Sequence, residues 1–220
     1  HGRELWVYDT SNGSTWMASD TYPGLLAGRA EHLTVVGTRL FFSAKNETNM
    51  FSAKGRELWA HETTDGSTWL VKDIYPGTDD SSPRDLTPFG KNMLFFSAKT
   101  HGSFRDLWVH NMYNNSTWQI NLDFQDWPRY IHQLGDKLYF DAGWQYEDHE
   151  LWIYNPVNNS LWELADIRPS TCLCATPSPS GYTLGSNPQG ITSVGTRLYF
   201  TALGDVEGQD PPIHTVRALW

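Results

Sequence analysis

Arginine and acidic residues recur in this sequence at fixed distances from tryptophan. Any chemistry the chain performs would have to draw on them. Arg3, Arg56, Arg105 and Arg217 each stand three residues before a Trp. Guanidinium groups converging on one place would bind an anion, because each offers a rigid fork of donors. Each is followed by Glu4, Glu57, Asp106 or Ala218. Neighbours along a strand point to opposite faces, so these acids need not neutralise the arginines. Recurrence in every unit is also what structural pairing would produce, and pairing is the favoured reading.

Asp20, Asp73 and Asp166 recur in SDTYPG, KDIYPG and ADIRPS. They could form a ring of acidic ligands. The Pro-Gly that follows in the first two argues instead for a turn whose backbone N–H groups the Asp accepts. Asp79-Asp80, the run Glu147-Asp148-His149-Glu150 and the stretch Asp205 to Asp210 are acidic, and calcium is a weak expectation at any of them. None has EF-hand spacing, and solvated loop charge is the plainer account. The histidines show no H-E-x-x-H spacing, and no Ser/His/Asp set stands out. No catalytic, cofactor or metal residue is therefore assigned. Cys172 and Cys174 share one loop as C-x-C, without the further ligands of a zinc site. A bridge between them, a bond to another chain and two free thiols all remain open.

The elements that would position these groups are repeats. One phrase occurs four times: RELWVYDTSNGSTW, RELWAHETTDGSTW, RDLWVHNMYNNSTW and HELWIYNPVNNSLW. Its first Trp is Trp6, Trp59, Trp108 and Trp152, and its second, always ten residues later, is Trp16, Trp69, Trp118 and Trp162. Between them lie Asn12-Gly13, Asp65-Gly66, Asn114-Asn115 and Asn158-Asn159, residues that accept φ > 0. A β-hairpin with a two-residue type I′ turn is expected, both central residues having positive φ. That register puts Leu5, Val7, Trp16 and Ala18 on one face and Trp6, Tyr8 and Met17 on the other. Bulk on both faces implies a sheet sandwiched between neighbours. A second hairpin precedes each phrase, as in LTVVGTRLFFSA, turning at Gly37, Gly90, Gly135 and Gly195 through a type II′ or I′ turn. No segment has helical periodicity.

The chain is thus expected to be all-β, a β-propeller of four-stranded antiparallel blades with about four repeat units visible. A β-solenoid or prism is the rival. Residues 1–220 are read as a single β-propeller repeat domain, with units near 1–30, 31–83, 84–128, 129–169 and 170–220, the first and last partial. Counting strand types leaves the chain beginning and ending on the same type. It is expected to be a segment of a longer repeat protein or larger propeller, or else a link in an assembly of identical chains.

The ELW-x-x-D phrase, the following Gly-Ser/Thr, the D-I-Y-P-G loop and the LT-x-x-G-x-x-L-F-F strand resemble the ELWxxDGT repeat family. The likeness covers all four units and is closest in the second; the fourth departs most, with a Pro/Ser-rich insertion from about Pro169 to Pro188. The resemblance implies a secreted or surface-associated propeller and adds no catalytic residue. The G-S-T-W segment is also similar to the sialidase Asp-box, S-x-D-x-G-x-T-W. Here Asp65 directly precedes Gly66, and Thr64 holds the place of the box's Asp. That box is itself a structural turn.

Of eleven Trp, those at repeat positions, Trp220 included, are expected in the core. Trp127 and Trp144 fall outside the pattern and are the candidates for an exposed, sugar-binding surface. Sequons occur at Asn12, Asn46, Asn114, Asn115 and Asn158. Four lie at hairpin tips, Asn46 in an inter-strand loop, and crowding favours one glycan over two at Asn114 and Asn115.

A net charge of −9, without a Lys/Arg cluster, argues against nucleic-acid partners. No apolar run is long enough for a transmembrane helix. The expected function is that of an extracellular or cell-surface, non-catalytic module, structural, adhesive or recognising, in an assembly or filament. Its partners would be itself, other surface proteins or glycans. The alternative is a sialidase- or glycosidase-like enzyme, which would need a carboxylate pair and a cationic cluster at one mouth of the propeller.

Overall fold

The ELW phrase folds as two strands joined by a tight tip, and the strand before it completes a pattern that recurs down the chain. The structure is a computed structural model describing residues 3–23, 28–46, 54–122, 127–144, 147–165, 167, 185–204 and 216–219, with the backbone alone at 144, 147–148, 204 and 216–219. No helix occurs among the described residues. The strands β1 (Leu5–Tyr8) and β2 (Thr15–Ser19) form a two-stranded sheet. A four-stranded meander follows: β3 (Glu31–Val36), β4 (Arg39–Asn46), β5 (Lys54–Glu62) and β6 (Thr68–Lys72). The next comprises β7 (Arg84–Phe89), β8 (Met93–His101), β9 (Phe104–Asn111) and β10 (Ser116–Ile120). The third contains β11 (Arg129–Leu134), β12 (Lys137–Trp144), β13 (Glu147–Asn155) and β14 (Ser160–Ala165). A three-stranded sheet of β15 (Gln189–Val194), β16 (Arg197–Gly204) and β17 (Val216–Leu219) ends the series. All pairings are antiparallel and sequential.

The chain divides into two compact units, one of His1–Ser103 with Leu107–Ile120, the other of Phe104–Asp106 with Asn121–Trp220. In the first, β4 is apolar on both faces. Phe41 packs with Leu58, Ala60, Leu94, Phe96 and Trp108 on one side. Phe42 packs with Leu5, Ala44 and Trp59 on the other. Both rings are fully buried, each worth roughly 2–3 kcal/mol of transfer free energy. In the second unit Leu151, Phe200 and Ala202 form the corresponding core. A central strand buried on both sides is what stacked blades require.

The tip of the ELW hairpin differs from the two-residue type I′ turn read from the sequence. Tyr8 pairs with Thr15, the Asp9 N–H donates to the Ser14 carbonyl, and the Gly13 N–H returns to the Asp9 carbonyl at 2.8 Å. Four residues, Thr10 to Gly13, therefore make the loop. Only its last residue is left-handed: Gly13 (φ 74°), Gly66 (75°), Asn115 (55°) and Asn159 (57°). The Asn or Asp before it uses its side chain instead. Asn12, Asp65, Asn114 and Asn158 each accept the N–H of the Ser two residues on, at 2.8–3.1 Å. The last residue of the ELW-x-x-D phrase does the same at the loop's start: Asp9, Glu62, Asn111 and Asn155 take the N–H two residues ahead. These side-chain bonds stabilise a longer loop than φ preference alone suggests. Lengthening the loop by two moves the register by two, which leaves every side chain on its face. Val7 pairs with Trp16 and Trp6 with Met17, while a bulge carries Leu5 opposite Ser19. The other hairpin turns at Gly37, Gly135 and Gly195 with only that first central residue at positive φ, the type II′ pattern.

Candidate functional site

The glutamate of the ELW phrase is the most heavily used polar group. Glu57 is completely buried. Its carboxylate accepts the Ile74 N–H at 2.8 Å, the Ser81 N–H at 3.1 Å and the Ser81 hydroxyl at 2.6 Å. It thereby ties β5 to both ends of the loop connecting β6 to β7. Glu4 holds the Gly28 N–H at 2.8 Å and the Thr21 N–H at 3.2 Å. Glu150 holds the Ser186 N–H at 2.7 Å and the Ile167 N–H at 3.2 Å. The sequence offsets to the first loop partner are the same, 17 residues in each case. Burial pushes the Glu57 carboxyl up to about 7, against the opposing pull of its hydrogen bonds to Ser81 and Ile74. The same loop presses its backbone on β5: a Cβ on Gly55 would lie 1.7 Å from the Asp79 carbonyl oxygen.

The arginine before the glutamate is also structural. Arg56 is buried and donates to the Arg29 carbonyl at 2.7 Å, with the Glu31 carboxylate at 3.4 Å. Arg105 is buried and Arg3 exposed, while the Arg217 side chain lies outside the described residues. In the sheet of β11–β14 the position belongs to His149, and the charges are redistributed. His149 Nδ1 lies 3.0 Å from Asp141 Oδ1. Arg129 donates to Asp141 Oδ2 at 2.7 Å and to Asn187 at 2.8 Å. Asp141, on β12, is fully buried where β4 carries Ser43. Cation and anion have moved between strands, and the ion pair survives.

The remaining sequence candidates are accounted for differently than their composition suggested. Asp73 takes the ammonium of Lys54, and the Ile74 N–H in its loop goes to Glu57 rather than to Asp73. Asp80 accepts the Arg56 N–H at 2.8 Å and pairs with Lys45 at 3.1 Å. Asp166, Cys172, Cys174 and residues 205–210 lie outside the described residues. Among the described residues no group of three or more His, Cys, Asp or Glu could hold a metal ion.

Several indoles expected in the core are exposed. Trp16 (46%), Trp118 (39%) and Trp162 (37%) sit on the edge strands β2, β10 and β14, and Trp6 (58%) lies on β1, which among the described residues pairs with β2 alone. An edge strand has solvent on one side, so its indole is covered only in part. Trp59 and Trp108, on inner strands, are buried. Trp127 is half-buried, and the Trp144 side chain lies outside the description. Asn12, Asn114, Asn115 and Asn158 are exposed at hairpin tips, as their sequence context predicts. Asn46 is instead the half-buried last residue of β4, paired with Lys54, not a loop residue.

No protein-family model and no curated protein matches the chain. Solved structures do. A puromycin-hydrolysing peptidase of Mycobacterium tuberculosis is similar with a TM-score of 0.57 at 14% identity, over 94% of this chain and 28% of that one. TolB from Acinetobacter baumannii is similar with a TM-score of 0.51 at 12% identity, over 90% of this chain and 45% of that one. The β-propeller domain of the Trilobed protease from Pyrococcus furiosus, described as having an open velcro topology, is similar with a TM-score of 0.50 at 10% identity, over 88% of this chain and 55% of that one. The fold is that of a β-propeller built of four-stranded blades. The chain spans between about a quarter and just over half the length of these structures.

Proposed function

We propose that this propeller is an extracellular, non-catalytic module of the ELWxxDGT repeat type, with a structural, adhesive or recognition role in a surface assembly. The observation that carries this reading is the use to which the recurrent polar residues are put. Glu4, Glu57 and Glu150 cap loops, Arg56 caps a carbonyl, and Asp141 neutralises Arg129. A glycosidase would need two carboxylates facing a substrate across several ångströms; the buried carboxylates here face backbone N–H groups and cations. The exposed tips at Asn12, Asn114, Asn115 and Asn158 suit glycans that would point into solvent.

Peptide mapping of protein from its native source tests the extracellular reading. Glycans are expected at Asn12, at Asn158 and at one of Asn114 and Asn115. Unmodified asparagine at all of these positions, or hydrolysis of sialosides or aryl glycosides by the purified protein, would overturn the proposal.

A further inference from the structure

Residues shared by every repeat serve the fold, and a few polar residues depart from the repeat where a groove opens. Lys45 on β4 and Lys99 on β8 each follow the segment FFSA. The same place holds Gly143 after FDA in β12 and Leu203 after FTA in β16. The loop from β6 to β7 departs as well. After Tyr-Pro-Gly it runs Thr78-Asp79-Asp80, where the first Tyr-Pro-Gly is followed by Leu25-Leu26-Ala27. The fold therefore does without these charges in other repeats.

Within the first compact unit these residues meet. A groove of about 490 Å³ is lined by Lys45, Tyr75, Thr78, Asp79, Asp80 and Lys99. Its walls are firmly held. Glu57 fastens both ends of the loop, at Ile74 and Ser81. Between them the Gly55 N–H donates to the Gly77 carbonyl at 3.1 Å, and Asp80 accepts the Arg56 N–H. The Lys99 N–H donates to the Ser81 carbonyl at 2.8 Å, and the Gly102 N–H to the Tyr75 hydroxyl at 3.2 Å. A ligand would bind here with little further ordering of the backbone.

The side chains inside do not all satisfy one another. Lys45 pairs with Asp80 at 3.1 Å. Among the described residues, the Lys99 ammonium, the Asp79 carboxylate and the Thr78 hydroxyl have no hydrogen-bond or ion partner. The Tyr75 hydroxyl accepts from Gly102 and keeps its own proton to donate. Such a set selects its ligand by charge. A carboxylate suits Lys99, and hydroxyls beside it would donate to Asp79 and Thr78. A bare anion brings no donor for Asp79 and is repelled by Asp79 and Asp80. An ammonium placed on Asp79 is repelled by Lys45 and Lys99. A hydroxyl is neutral and meets neither penalty. The half-buried Tyr75 ring adds an apolar wall for a sugar ring.

We propose that this groove binds a uronic-acid residue of a glycan, its carboxylate on the Lys99 ammonium and its hydroxyls on Asp79 and Thr78. This names a ligand for the recognition role above and rests on that reading.

The methyl glycosides of glucuronate and galacturonate are titrated into the purified chain and followed by NMR. Methyl glucoside, methyl galactoside, sodium sulfate and dialanine serve as comparisons. At least one uronate should bind, with each comparison at least about tenfold weaker. Lys99→Gln and Asp79→Asn should each weaken the uronate about tenfold, the loss of one charge-assisted hydrogen bond. Lys99→Arg should retain it, and so should Lys91→Gln, a change at the exposed β7–β8 turn. Added salt should weaken binding, because Lys99 is only half-buried. Both weakened variants should melt with the parent, since neither side chain has a partner to lose. No binding of either uronate, equal binding of the neutral glycosides, tighter binding of sulfate or dialanine, or an unaffected Lys99→Gln would each overturn the proposal. Glycans found at Asn12 and Asn158 on a chain that binds no uronate would leave the extracellular reading standing, so the two failures are distinguishable.

Discussion

Glu57 sets two large effects against each other, and its protonation decides which prevails. Three donors favour the carboxylate, while complete burial favours the neutral acid. Burial wins, and the group titrates near 7 rather than 4.5. A folded-state value above the unfolded one means the native state holds the proton more tightly. The associated stability is fully present below about pH 4.5 and is lost as pH rises through about 7. A displacement of that size corresponds to about 3 kcal/mol. Glu57→Gln keeps the shape and one acceptor oxygen but cannot ionise. Urea unfolding followed by tryptophan fluorescence, at steps from pH 4.5 to 8.5, should show the parent losing about 3 kcal/mol relative to Glu57→Gln across that range. Parallel profiles, or a parent that gains on the variant with rising pH, would show that the three donors outweigh burial. A Glu57→Ala variant gives the companion magnitude. It strands two buried N–H groups, each costing about 1–3 kcal/mol, while the Ser81 hydroxyl keeps the Arg56 carbonyl as an acceptor at 3.1 Å; it should be among the most damaging single changes in the chain.

His110 contributes with the opposite sign. Burial, aided by Arg39, lowers its value to about 4, so its stability is present above about pH 6.5 and is lost as pH falls through 4. His110→Gln should flatten the acid limb of the unfolding profile, and an unchanged limb would refute the assignment. Because the two groups oppose each other, the parent's own pH profile understates both. Gly55→Ala should lower the melting temperature by several degrees, since a Cβ 1.7 Å from the Asp79 carbonyl oxygen forces the 73–80 loop off β5. Gly66→Ala, with open space around its Cβ but φ at +75°, should cost only the conformational strain of about 1 kcal/mol; equal losses at the two sites would refute the packing argument.

The sequence by itself determined the strands, their order and their faces. Period-two patterning fixes which side chains share a face. A register shift of two residues, as at the Asn12-Gly13 tip, leaves those faces intact. Repetition then identified blades, because a strand like FFSA, apolar on both sides, needs a neighbour on each. At the tips φ preference alone points to a two-residue turn, whereas side-chain bonds to the backbone hold a loop of four. Those bonds have a signature in the sequence, the recurring Asp9, Glu62, Asn111 and Asn155.

Tertiary structure alone decided what the recurrent charges do. Glu57 meets Ile74 and Ser81 across 17 and 24 residues, a distance no local pattern bridges. The left-handed residues His32, Asp85 and Tyr130, each second in its strand, share that place with Gly190. They are non-glycine residues with no sequence signature for positive φ, held there by the bulged pairing of those strands. The exchange that puts Arg129, Asp141 and His149 where the second sheet has Glu31, Ser43 and Arg56 keeps one charge balance with three different residues. Sequence records identities at positions, whereas Coulomb energy depends on which groups end up close together, and folding alone sets those distances.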